Sequence, residues 1–128
     1  MTNKYLDILT QVVRHPRHPV DNAGGVRIEL QRAQKSSGEG DAPQVVDFSR
    51  GGCRVQWESQ LSKDEPVVLT ITDVANGLAL ELPATVRWSK PLEDSRHESG
   101  VQFDNLVDYE HLGELFLAGF LSAEEAVA

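Results

Sequence analysis

Hydrophobic and polar positions alternate with a period of two through most of the middle of this 128-residue chain. Val26, Ile28 and Leu30 are separated by Arg27 and Glu29, and Cys53, Val55 and Trp57 by Arg54 and Gln56. Such alternation puts one side of a strand into a core and the other into water. Residues 67–72 form a run rich in Val, Ile and Thr, which favours a pleated surface. Leu78, Leu80, Leu82, Ala84, Val86 and Trp88 then keep one parity. Pro83 interrupts that run and predicts a bend, a bulge or an edge, because it has no amide proton for the ladder. Asn76-Gly77 precedes it and suits a hairpin turn with positive φ. Val101 and Phe103 begin one more strand, after a polar connection over residues 91–100.

The period changes at both ends. Tyr5, Ile8, Leu9 and Val12 follow helical spacing and predict a short helix over residues 3–13, capped by Thr2 or Asn3 and stopped by Pro16. Residues 14–19, Arg-His-Pro-Arg-His-Pro, then read as an extended arm, stiffened by its prolines. From Asp108 the spacing is helical again, with Tyr109, Leu112, Phe116 and Phe120 recurring at three or four. Asp108, Glu110 and Glu114 suit the positive end of that helix's dipole. Residues 36–42 are a polar loop.

Some six short strands, helices only at the ends and no βαβ crossover predict a mainly β fold, a six-stranded antiparallel barrel or sandwich. The expected organisation is a single domain, with helix and arm over residues 1–19, the barrel over 20–106, and a C-terminal helix and tail over 107–128.

Composition removes several functions. The formal net charge of −8 is unevenly spread, at +2 over residues 1–54 and −10 over residues 55–128. A long nucleic acid needs a broad positive face, so none is expected as a partner. The exposed aromatics that would stack its bases are also missing, because Trp57 and Trp88 share the parity of core positions. A compact anion remains allowed in the first half. No apolar run reaches the roughly 18–20 residues of a membrane span, and residues 1–10 lack a signal-peptide core. The expectation is a cytoplasmic protein without membrane insertion.

Chemistry is sparse. The nucleophile-elbow, zinc-protease and phosphate-loop motifs are absent, so an enzyme is not expected. Cys53 has inward parity and reads as a small core residue. His15 and His18 have no neighbouring cysteine to complete a metal site. The pairs Asp64-Glu65 and Glu124-Glu125 read as solvated. No cofactor is implied. The segment Asp47-Phe48-Ser49-Arg50-Gly51-Gly52 between two strands is more informative. Asp and Ser can offer a carboxylate and a hydroxyl to a guanine edge, the glycines permit positive φ and close approach to the backbone, and arginines fit phosphate oxygens. The same residues also suit a tight hairpin that caps its own backbone. Both readings stand on these residues alone.

The order of arginine arm, strand, Asp47-x-Ser49-x-x-Gly52, further strands and C-terminal helix resembles the PilZ domain, a bacterial receptor for cyclic di-GMP. Pro83-Ala84-Thr85-Val86-Arg87-Trp88 and Ser99-Gly100-Val101-Gln102-Phe103 are similar to its later strands, and the resemblance spans roughly residues 12–118. It implies a PilZ-like six-stranded barrel whose arm folds over the ligand. Its arginines would contact phosphates and guanine faces, while the turn holds a guanine edge. The implied ligand residues are Arg14, Arg17, Asp47, Ser49, Gly52 and Trp88, with an unidentified downstream protein as second partner. Parity alone would put Trp88 in the core beside Val86. Val13 stands where the family's arm has the first arginine of Arg-x-x-x-Arg. Arg14 and Arg50 are the nearest substitutes. The alternative is a PilZ-like adaptor that binds cyclic di-GMP weakly or not at all and acts by protein contact.

Overall fold

The computed structural model describes residues 17–21, 25–32 and 42–121. The expected helix over residues 3–13, Arg14, the loop at 36–41 and the tail lie outside the described residues. Seven strands form one antiparallel sheet: β1 (His18–Pro19), β2 (Arg27–Arg32), β3 (Gln44–Ser49), β4 (Gly52–Trp57), β5 (Pro66–Asp73), β6 (Leu78–Pro91) and β7 (His97–Phe103). Their order across the sheet is β1-β3-β4-β7-β6-β5-β2. The sheet curls into a half-barrel whose inner face holds the core. Phe48, Val55, Leu69, Ile71, Val86 and Leu115 are fully buried there. The alternating strands supply this face directly: in β5 every second residue from Val67 to Asp73 is buried.

The seventh strand comes from the arm, which lays two residues extended against β3, with His18 opposite Phe48 and Pro19 opposite Asp47. Helix α1 (Tyr109–Leu117) begins as the acids at residues 108–114 suggest, with the Asp108 carboxylate accepting from the His111 amide. Leu115 and Phe120 pack it onto the core, and Phe120 meets Phe48 edge-on. Arm and C-terminal segment also meet: His18 sets its ring edge against Phe116, and Val20 bridges to Leu121.

Two local details differ from the periodicity. The β6–β7 hairpin is longer than the polar composition suggests, because β6 runs to Pro91 and β7 starts at His97. Ser89 and Ser99 pair there through their hydroxyls, so polar residues face each other inside the ladder. Pro83 lies within β6 without breaking it. Its carbonyl accepts from Asp104, just beyond the last residue of β7, so its missing amide faces no ladder partner. Gly77 supplies the expected positive φ, at 66°, after a single 3-10 turn over Val74–Asn76. Among the described residues no helix is long and apolar enough to cross a membrane.

Candidate functional site

Two bulges build the site. In β3 the register shifts between Val45 and Asp47, and in β6 between Val86 and Trp88. Each inserts one residue, so the side chains that follow change face. Val45 and Val86 point inward and are fully buried. Asp47 and Trp88 instead turn to the outer face, in one line across the sheet: Pro19 opposite Asp47, Asp47 opposite Arg54, Arg54 opposite Gly100, and Gly100 opposite Trp88. Paired residues of antiparallel strands share a face at about 4.5–5.5 Å spacing, so these groups are neighbours. The core position that parity gives Trp88 is overturned by the bulge, and its exposure is 39%.

Glycine completes the line. A Cβ on Gly100 would stand 2.2 Å from Nε1 of Trp88, so the indole lies across the glycine. A Cβ on Gly52 would stand 2.2 Å from the Val101 carbonyl oxygen. Gly52 is therefore needed for close packing of β4 on β7. Positive φ among the described glycines occurs at Gly77 and Gly119, not in the motif turn.

Asp47 is the electrostatic centre. Its side chain is 4% exposed, and it accepts from Nη1 of Arg17 at 2.9 Å and from Nε of Arg54 at 2.7 Å. A carboxylate this buried requires such charged donors. Arg54 also approaches Glu98 at 3.7 Å, and Glu98 faces Lys90 and accepts from Gln56. Ser49 behaves differently: its hydroxyl accepts from the Gly51 amide and donates to the Gly52 carbonyl. The self-capped hairpin thus holds for Ser49, whereas Asp47 is held by arginines. Arg50 leaves the site. It donates to the Val107 carbonyl at 2.6 Å, and its guanidinium lies 3.8 Å from the centre of the Tyr109 ring. It ties the turn to Val107 and Tyr109, where the chain enters α1.

Beside the line opens a depression of about 590 Å³, lined by Arg17, Ser49, Arg54, Arg87, Trp88 and Gln102 among others. That volume suits a small-molecule ligand. Arg87 donates to Gln102 at the rim. The structure brings together Arg17, Asp47, Ser49, Gly52 and Trp88 from the residues the sequence points to. Arg54, Arg87 and Gly100 also belong here. Their signal in the sequence was weak: the outward parity of the two arginines, and a glycine inside a strand. Cys53 is buried under this region, and burial, with the charge of Asp47 adding to it, pushes its thiol far up. That makes it a core residue and not a nucleophile.

A model of the PilZ domain matches residues 11–118. No curated protein matches the chain. Among solved structures it is similar to the MrkH–c-di-GMP complex of K. pneumonia, with a TM-score of 0.46 and 18% identity over 84% of this chain and 49% of that one. The chain thus spans about half the length of that protein. The family match covers most of the sequence and agrees with the curled antiparallel sheet and C-terminal helix: the chain belongs to the PilZ domain family, whose members are generally non-catalytic receptors for cyclic di-GMP.

Proposed function

We propose that this chain is a non-enzymatic signalling receptor that takes cyclic di-GMP between the arginine arm and the Asp47-x-Ser49-x-x-Gly52 turn, and relays its presence by protein contact. The observation that carries this reading is the shared carboxylate of Asp47. It is buried between a half-exposed Arg17 and Arg54, two residues that line the depression, in the row of side chains that ends at Trp88. A guanine offers two parallel N–H donors to such a carboxylate. The phosphates, with a charge of about −2, draw Arg17 and Arg14 toward them. Trp88 offers a flat face for a base. Because Pro19 lies opposite Asp47, moving Arg17 from the carboxylate to a phosphate alters the arm and the neighbouring surface of α1. A downstream protein would read that surface.

The adaptor reading is favoured by one observation. Both oxygens of Asp47 are already engaged within the chain, and Arg50, the nearest described substitute for the arginine missing at Val13, is held by Val107 and Tyr109. Calorimetric titration with cyclic di-GMP separates the two. The receptor reading expects saturable heat, and at least a tenfold loss for Asp47→Ala and for Arg17→Ala, because a charged hydrogen-bond partner is worth about 1.5–3 kcal/mol. Absence of heat and of any chemical-shift change at millimolar ligand leaves the adaptor.

A further inference from the structure

Arg54 is not part of the motif by which the turn is recognised, yet it is built into the same line of side chains. Its Nε donates to Oδ2 of Asp47 at 2.7 Å, and Nη1 lies 3.7 Å from Glu98. In a guanidinium, one N–H of Nη2 runs parallel to Nε–H. That donor therefore points beside the Asp47 carboxylate, and it has no acceptor among the described residues. Oδ1 of Asp47 is taken by Arg17, so Arg54 does not close a two-bond fork on the same carboxylate. Each carboxylate oxygen accepts two bonds, so Asp47 retains capacity while Arg54 stays in place.

Resting on the receptor reading above, we infer that Arg54 and Asp47 act as one recognition unit that selects guanine over adenine. Asp47 accepts from the base's N1–H and N2–H, and Arg54 donates through Nη2 to O6. The order donor, acceptor, acceptor along the pair is complementary to acceptor, donor, donor along the guanine edge. Adenine presents N6–H₂ where guanine has O6 and an acceptor at N1. It would set a donor against the Arg54 donor and a lone pair against the Asp47 carboxylate. A site whose buried polar groups are left unpaired by the wrong base discriminates strongly.

The neighbours support a clean substitution. In Arg54→Gln, Asp47 keeps Arg17, and Glu98 keeps Lys90 and Gln56, so neither carboxylate loses its last partner. A glutamine also carries an acceptor that N6–H₂ can use. The experiment is titration of the full chain and of Arg54→Gln with cyclic di-GMP and with cyclic di-AMP, followed by chemical-shift change to millimolar ligand, with thermal unfolding as a check of the fold. The expected result is about a tenfold loss for cyclic di-GMP together with a gain for cyclic di-AMP. A residue that only holds Asp47 in place would give the loss without the gain, and that result overturns the inference, as does an unchanged cyclic di-GMP affinity. Failure of the unaltered chain to bind cyclic di-GMP overturns the receptor reading itself, and this is seen before any variant is compared.

Discussion

Two arginine–carboxylate clusters stand on this sheet, and they are built to opposite ends. Arg32 at the β2 edge meets Glu65, which precedes β5, with both side chains largely buried at 16% and 14% exposure. Nε and Nη2 of Arg32 donate to the two oxygens of Glu65, and Oε1 of Glu65 also accepts from the Ser62 amide. The planar fork is spent on one partner, and donating to Glu65 holds the guanidinium pKa above its ordinary value. Asp47 is instead divided between two arginines with half-open side chains, each using one donor, beside a depression. Both clusters satisfy a buried carboxylate. The first closes its fork on a single carboxylate, whereas the second leaves one Arg54 donor unspent next to the depression that Arg17 and Arg54 line. An ion pair is therefore weak evidence of a site. Unspent hydrogen-bonding capacity beside a cavity is stronger evidence.

The widest gap between the clusters is in stability. Glu65→Ala removes both donors' acceptor and the Ser62 bond, and strands a largely buried guanidinium. It should cost about 2–3 kcal/mol, or roughly 8–12 °C in the unfolding midpoint. Cyclic di-GMP affinity of the surviving folded fraction should stay within twofold. Thermal unfolding with a parallel titration reads both, and a large affinity change would mean that the two clusters are coupled.

A smaller effect is expected from a methyl group at the floor of the open cluster. Gly100→Ala places its Cβ on the Trp88 indole, a side chain that can swing away, while Gly52→Ala would meet a β7 carbonyl that cannot. Gly100→Ala should therefore keep the fold and displace the aromatic face. About a tenfold loss of affinity is expected, within the range for loss of one base–aromatic stack. Trp88 fluorescence should change with it, and unaltered binding would remove Trp88 from the ligand site.

These contrasts also show what could be read before folding. The strand alternation, the Asn76-Gly77 turn and the start of α1 are local properties, set by neighbours within a few residues, and they were legible. So was the Asp47–Gly52 segment, through resemblance. The facing of Asp47 and Trp88 was not, because each depends on a bulge, and a bulge exists only relative to a partner strand far along the chain. Parity counted through Arg87 gives Trp88 the wrong face. Glu65 read as solvated because Arg32, its partner, lies 33 residues away. The charge asymmetry promised a cationic first half, yet Arg17, Arg54 and Arg32 are each matched to a carboxylate in the fold.

Arg50 tests where the boundary between the two kinds of cluster runs. It lies inside the motif turn, where composition suggests a ligand contact. In the fold its Nε donates to the Val107 carbonyl and its guanidinium covers Tyr109, while the Val107 amide donates back to the Arg50 carbonyl. The backbone bond survives truncation of the side chain. Arg50→Ala therefore loses one charge-assisted bond and one exposed cation–π contact, together about 1–2 kcal/mol of stability. Its Nε is committed to Val107 and its guanidinium face to Tyr109, so cyclic di-GMP affinity should stay within twofold. Unfolding and titration of the same sample decide it. A loss of affinity as large as that of Arg17→Ala would place Arg50 among the ligand's arginines, and the turn would then carry recognition that its geometry assigns to the scaffold.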